Sequence, residues 1–112
     1  MRQDMDDINL PVSGTRVGYV RSWMNGQQTW DGYLSRDEGP TDELVVNGTD
    51  RSWVEYLVLR RFQDKLLKDI TEDAGIMRTL EERRAFSHRV SLILECSDSM
   101  RQALKVFLRG RP

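Results

Sequence analysis

The chain has 112 residues, 31% of them charged and 38% hydrophobic, and its formal net charge is −1. This length and composition indicate one soluble globular domain, and they exclude a wholly disordered chain or two independent hydrophobic cores. Acidic residues dominate residues 1–50, with a formal charge of −5, whereas residues 51–112 carry +4. No apolar run approaches the roughly 18 residues that a membrane-spanning helix needs.

Residues 1–13 are polar and end at Asn9-Leu10-Pro11, which is typical of a mobile N-terminal arm. The acidic start lacks the basic flank and apolar stretch of a secretory signal, so we expect a cytoplasmic or otherwise intracellular protein. The single Cys96 agrees with that compartment, because it leaves no intramolecular disulfide to form.

The segment from residue 14 to residue 24 has the alternating pattern of a half-buried strand. Val17, Tyr19 and Trp23 alternate with polar residues, which predicts one apolar face. The following Asn25-Gly26 pair supplies the positive φ angles that a tight hairpin requires. This segment is therefore predicted to be the first strand of a β-hairpin.

A second strand is predicted over residues 29–36 and a third, short and β-branched, over residues 43–46. In the second strand, Trp30 and Leu34 share one face, and Tyr33 lies on the other by alternation. Glycine-containing turns follow both segments. The three strands predict an antiparallel β-meander.

Residues 52–70 open the helical half, and their first part fits either a helix or a strand. The Ser52-x-x-Glu55 spacing matches a capping box, which favours a helix. One apolar stripe continues that helix, formed by Leu59, Phe62, Leu66 and Ile70. The apolar run 53–59 also has high strand propensity, so a fourth strand there is the alternative.

Thr79-x-x-Glu82 is a second capping box, and a heptad pattern follows it. The heptad positions are Phe86, Val90, Ile93, Ser97, Met100, Leu104 and Phe107. Their phase is kept through residues 97–99, which predicts one helix from about Leu80 to Arg109 that stops at Gly110. The alternative is a break at Ser97–Ser99 with a short last helix.

These elements predict a single α+β domain over residues 14–112, strand-rich over 14–50 and helical over 51–112. Its architecture is a small antiparallel meander of three strands, or four if residues 53–59 are extended, followed by two or three α-helices.

Residues for catalysis or metal binding are scarce, because the chain has one histidine, His88, and one cysteine, Cys96. A helix would separate the two by about 12 Å of rise, and neither completes a usual His/Cys ligand set. The remaining acid/base candidates are carboxylates near the turns: Asp31, Asp37, Glu38, Asp42 and Glu43. We expect these to be solvated surface charges, and we predict no catalytic residue, metal or cofactor.

Aromatic residues on adjoining strands are the clearest binding feature, because interfaces between proteins favour such side chains. The candidate partner-binding residues are Tyr19, Trp23, Trp30 and Tyr33. We therefore predict a non-enzymatic protein-interaction module, such as an adaptor, an inhibitor or a regulatory subunit. The simpler interpretation is that Tyr33 is a single exposed ring of no functional meaning.

The apolar helical positions exceed what a three-stranded sheet can cover, which predicts a homodimer. Its candidate interface consists of Trp53, Leu57, Val90, Ile93, Met100, Leu104 and Phe107.

A small RNA- or DNA-binding protein is the alternative, in which strand aromatics stack on bases and arginines bind phosphates. Its candidate residues are Arg83, Arg84, Arg89, Arg109 and Arg111. Interleaved acidic residues on the same helix oppose this interpretation. A third class is an enzyme that completes its site across a dimer interface, with Asp31 or Asp42 as the groups to test.

Overall fold

The computed structural model describes residues 3–35, 42–73 and 79–110. The elements follow in the order β1 (Gln3–Asn9), β2 (Arg16–Asn25), β3 (Gln27–Leu34), β4 (Glu43–Gly48), α1 (Arg51–Asp73) and α2 (Leu80–Arg109). The strands form one antiparallel sheet in sequential order, and the two helices follow it in the chain. The predicted α+β class is therefore confirmed, with four strands in the meander.

The prediction of a mobile arm over residues 1–13 is wrong from residue 3 onward, because β1 pairs with β2 along its whole length. Ile8 and Leu10 are buried in the core. Two aspartates that made this strand look like a solvated arm have cationic partners: Asp7 pairs with Arg16 at 3.1 Å and Asp6 with Arg51 at 2.9 Å. An edge strand with few apolar residues gives little alternation to recognise.

The alternation predicted that the apolar residues of β2 share one face, but the structure places them on two faces. The pairing with β1 shifts between Ile8 and Asn9, which leaves Val17 as an extra residue in β2. Val17 and Val20 enter the core, whereas Tyr19 stacks on Tyr33 outside that cluster. The bulge thus separates the residues that simple alternation had grouped together.

β3 presents Gly32 and Leu34 to α1, and Tyr33 to the other side, as predicted from its alternation. A Cβ atom on Gly32 would lie 2.6 Å from Val58 Cγ2 and 2.8 Å from Val54 Cγ1. Glycine is required here because α1 packs directly on the strand backbone.

α1 is capped by Asp50 and not by the predicted Ser52. The Trp53 backbone N–H donates to Asp50 Oδ1 at 3.1 Å, which is the usual N-cap hydrogen bond. Glu55, the other half of the predicted box, accepts from Arg51 instead. The helix therefore starts one residue before the predicted cap.

The two open questions about the helices are both resolved in favour of helix. Residues 53–59 are helical, so the strand alternative is wrong there and the fourth strand is β1. α2 runs without a break through residues 97–99. Thr79 accepts a hydrogen bond from the Glu82 backbone N–H, and Gly110 is the C-cap, both as predicted.

The core lies between the sheet and the two helices. Its buried members are Ile8, Leu10, Val17, Val20, Leu34, Val54, Val58, Leu59, Leu92 and Cys96. α2 packs along α1, where Gln63 Nε2 donates to the Ile93 carbonyl at 3.1 Å and to Ser97 Oγ at 2.7 Å. Across the described ranges, neither helix is long and apolar enough to cross a membrane.

Glu95 in α2 fastens the turn between β1 and β2. Its Oε1 accepts hydrogen bonds from the backbone N–H groups of Val12, at 2.9 Å, and Ser13, at 2.8 Å. Desolvation opposes ionisation, but these bonds lower the pKa of the Glu95 carboxyl below its ordinary value. The turn is thereby attached to the middle of α2.

Candidate functional site

The sheet has one face against α1 and a second face that no helix of the described chain covers. We call the second face the open face. Its central residues are Arg16, Tyr19, Arg21, Trp23, Asp31 and Tyr33. An exposed antiparallel sheet face is usually polar, so a continuous aromatic surface here is unusual.

The two tyrosine rings of the open face stack on each other, and an arginine lies near each of the three aromatic rings. Tyr19 and Tyr33 are stacked, with ring centroids 4.9 Å apart and planes inclined by 15°. The Arg16 guanidinium lies 5.5 Å from the Tyr19 ring centre. Arg21 lies 5.3 Å from the Tyr33 ring and 5.9 Å from the Trp23 ring. These distances are within the range of cation–π attraction.

Tyr19 is the most enclosed residue of the open face, with 8% of its surface exposed. Burial, followed by the hydrogen bond that its hydroxyl donates to the Asp42 carboxylate, raises the pKa of Tyr19 above its ordinary value. The ring therefore stays neutral and fixed, and Tyr33 is the tyrosine of the stack that is available to a partner.

Hydrogen bonds hold Trp23, the third aromatic residue of the open face, in place. Trp23 Nε1 donates to Asp31 Oδ2 at 2.8 Å. The second oxygen of Asp31 accepts from Asn47 Nδ2. Together these contacts hold the indole in one orientation, so it loses little conformational freedom when a partner binds.

Arg21 has incomplete hydrogen bonding. Its Nε is buried and has no hydrogen-bond partner, and Nη2 lies 3.8 Å from Met5 Sδ. Among the described residues, Arg21 forms no ion pair with a carboxylate. A guanidinium that lies between two rings, with no acidic partner among the described residues, can pair with a carboxylate of another molecule.

Three of the four predicted aromatic residues, Tyr19, Trp23 and Tyr33, come together on the open face. Trp30 does not, because it packs against the core on the helical side. Arg21 was not among the predicted binding residues, and Asp31 was predicted only as a solvated surface charge. The i, i+2 spacing of Tyr19, Arg21 and Trp23 was the available signal for Arg21.

The predicted dimer residues are mostly half-buried within one chain. Phe107 packs on Trp53, with ring centroids 5.2 Å apart, and Met100 packs against the core. The remaining positions, Leu57, Val90, Ile93 and Leu104, are half-buried. The most exposed leucines of α2 are different residues: Leu80, Leu94 and Leu108.

The predicted phosphate-binding arginines do not form one patch. Arg83, Arg84 and Arg109 are exposed, whereas Arg89 is half-buried. Arg84 and Arg109 are separated by roughly 37 Å of helix. Arg111 lies outside the described residues.

The residues with catalytic potential are also dispersed. Cys96 has no exposed surface, and its burial raises the pKa of the thiol to about 12, so it is protonated at neutral pH. Glu43 forms ion pairs with Arg61 and Lys65. No group of three or more His, Cys, Asp or Glu residues within the described ranges could hold a metal ion. Asp37 and Glu38 lie outside those ranges.

The larger grooves of the described chain lie away from the open face. One, of about 890 Å³, separates the C-terminal half of α2 from the start of α1, and its rim carries both Arg51 and Asp98. Its mixed charges define no ligand chemistry. The other, of about 320 Å³, runs between β4 and α1 beside Val45 and Leu57.

Comparisons of this chain with protein families, with curated proteins and with solved structures found no match. The function must therefore be inferred from these surfaces.

Proposed function

We propose that the chain is a non-enzymatic interaction protein, such as an adaptor, an inhibitor or a regulatory subunit, that binds another protein through the open face. The observation that carries the proposal is the aromatic and arginine array of Tyr19, Tyr33, Arg21 and Trp23 on a sheet face without a covering helix. Tyrosine, tryptophan and arginine are the residue types that dominate binding energy between proteins.

Preorganisation supports this proposal. The Tyr19–Tyr33 stack and the Trp23–Asp31 hydrogen bond already hold the rings in position. A partner would therefore gain contact area without the usual cost of ordering long side chains.

The charge of the open face favours a protein over a nucleic acid. Arg16 and Arg21 are the cations there, and Arg16 is already paired with Asp7. The same face carries the carboxylates of Asp31, which accepts from Trp23, and of Asp42, which accepts from Tyr19. A polyanion would be repelled by these carboxylates, whereas a protein can offer one carboxylate to Arg21 and apolar groups to the rings.

We also propose that the protein acts as a homodimer whose interface is the outer surface of the helical pair. Leu80, Leu94 and Leu108 are 62%, 62% and 64% exposed and are equally spaced along α2. A two-fold axis at Leu94 would bring Leu80 of one chain to Leu108 of the other. Two helices of these lengths offer roughly 700 Å² of footprint, close to the ~800 Å² per partner of a stable complex.

Binding through the open face is tested by capture and calorimetry. The protein is used as bait in an extract of its source organism, and the captured protein is purified. We expect Tyr33→Ala to weaken its binding by at least about tenfold, a typical hot-spot effect. Tyr56→Ala is the matched control, because Tyr56 stacks on Trp53 in α1.

The same experiment separates the alternative function. Loss of binding in an Arg83→Glu/Arg84→Glu variant, with Tyr33→Ala unaffected, would reject the open face. Capture of single-stranded nucleic acid, with a Kd that rises steeply with salt, would establish nucleic-acid binding instead.

The dimer is tested by sedimentation at micromolar concentration. We expect a dimer that Leu94→Glu converts to a monomer, while Leu44→Glu, at an exposed leucine of β4, leaves it intact. A wild-type protein that is purely monomeric would reject the dimer.

A further inference from the structure

The two edges of the sheet differ in how they are protected. β1 forms one edge and contains three aspartates, Asp4, Asp6 and Asp7. Charged residues on an edge strand oppose pairing with another chain. β4 forms the other edge, and its centre is the uncharged, largely β-branched run Leu44–Val46. β4 is therefore the edge that can accept another strand.

The outer backbone groups of β4 have no strand partner in the described chain. β4 pairs only with β3 there, through a register that joins Trp30 to Gly48 and Leu34 to Glu43 and shifts between Gly32 and Tyr33, where Val45 is the extra residue. In an antiparallel strand, alternate residues direct their N–H and C=O groups away from the paired neighbour. These groups form a template for an added strand.

A groove follows this edge between β4 and α1. It has a volume of about 320 Å³, and its lining is Val45, Val46, Leu57, Arg60, Arg61 and Asp64. The floor is apolar and the α1 wall is charged. Side chains that project from an added strand toward α1 would enter this groove.

The charged side chains of the α1 wall are Arg60, Arg61 and Asp64, which give the wall a net positive charge. Glu43 pairs with Arg61 and with Lys65 at 3.2 and 3.1 Å, and its pKa is lowered by these cations. Arg60 and Lys68 form no ion pair with a described residue. An occupant with carboxylates beside apolar side chains is therefore favoured over a basic one.

We propose that β4 binds an extended acidic and apolar segment of a partner protein by strand addition. The partner's backbone pairs with the outer edge of β4, apolar side chains contact Val45, Val46 and Leu57, and carboxylates meet Arg60. This mode obtains affinity from backbone hydrogen bonds and specificity from alternate side chains. It uses a different surface from the open face.

The probe is the seven-residue peptide Val-Thr-Asp-Thr-Val-Thr-Asp with blocked ends, in which one face of the extended strand carries both Val and Asp side chains. It is about 23 Å long when extended and so long enough to span β4. We expect saturable binding with a Kd below about 1 mM. Hydrogen exchange should slow at the amides of residues 44–47. A peptide with Lys in place of Asp should bind at least about tenfold more weakly. Alternate N-methylation, which removes backbone donors, should abolish binding.

Two protein variants give matched controls. Arg60→Glu should weaken peptide binding at least about fivefold, since it reverses an unpaired charge in the groove. Arg84→Glu reverses an exposed charge on α2 and should change nothing. Tyr33→Ala should also leave peptide binding intact, so failure of the open-face proposal is distinguishable from failure of this one.

Each of three results would overturn strand addition at β4. Protection of β1 amides instead of β4 amides would put the peptide at the wrong edge. Binding that survives N-methylation and Arg60→Glu would show that neither the backbone nor the groove is used. Protection of β4 that rises with protein concentration in the absence of peptide would show that a second copy of the chain occupies the edge.

Discussion

The Tyr19 ring on β2 stacks on the Tyr33 ring on β3, with centroids 4.9 Å apart, so that a buried ring of the open face contacts a more exposed one. Tyr19 is nearly enclosed, and Tyr33 is half-buried. Removal of the Tyr33 ring would expose Tyr19 to water. The ionisation of Tyr19 therefore reports on the integrity of the whole array.

The pKa of Tyr19, raised by burial and by Asp42, predicts a specific alkaline behaviour. Below the unfolded pKa of about 10 the phenol is protonated in both states, and stability does not depend on it. Above that pH the unfolded chain releases the proton first, so the free energy of unfolding falls as pH rises. Ultraviolet titration should show Tyr33→Ala moving the Tyr19 pKa toward 10, with Tyr19→Phe identifying the signal. A Tyr19 pKa that stays the same in Tyr33→Ala would contradict the stacked arrangement. The control variant Tyr56→Ala should leave the Tyr19 pKa unchanged.

Gly32→Ala is predicted to destabilise the fold by about 1–3 kcal/mol, which is typical of overpacking. The new methyl would meet Val58 and Val54 at less than 3 Å. Urea denaturation measures the loss. The double variant Gly32→Ala/Val58→Ala should lose less than the sum of its single changes, because the smaller side chain makes room. Strict additivity would show that α1 does not press on β3.

Asp50→Ala should reduce the free energy of unfolding by about 1 kcal/mol, the usual effect of losing an N-cap. Its side chain accepts from the Trp53 backbone N–H. Ser52→Ala is the matched control and should have a smaller effect, since Ser52 lies inside the helix. A larger loss of stability in Ser52→Ala than in Asp50→Ala would show that Ser52, with Glu55, caps the helix instead.

Cys96 should resist thiol reagents in the folded protein and react readily in urea. The side chain is fully buried and its pKa is raised to about 12, so the thiolate required for reaction is absent. The rate of modification by a disulfide reagent should therefore follow the rate of opening of the core. Immediate reaction of the native protein would contradict the packing of α2 on α1 and the burial of Cys96 in the core.

Most secondary structure was predictable because it follows local chemistry. Thr79 and Gly110 cap the two ends of α2 as expected. The unbroken heptad phase correctly predicted that the helix continues through residues 97–99. β1 was not predicted because a run with three aspartates is typical of a solvated arm. The arginines that pair with two of them, Arg16 and Arg51, lie outside the strand in the sequence. Nothing local reveals which basic residue will neutralise an edge strand.

The candidate site was only partly predictable. Alternation placed Trp30 and Tyr33 on opposite faces, but it also grouped Val17 with Tyr19. The bulge that separates Val17 from Tyr19 depends on pairing with β1, which the local pattern does not contain. The role of Arg21 likewise arises from contacts between strands, with Tyr33 on β3.

Hydroxyl-radical footprinting of the complex with the captured partner tests the central claim most directly, because it reads the solvent exposure of individual side chains. We predict that Tyr33, Trp23 and Met5 become protected in the complex, while Tyr56 and the α2 residue Val106 keep their reactivity. Protection confined to the helices, with Tyr33 and Trp23 unchanged, would contradict binding through the open face.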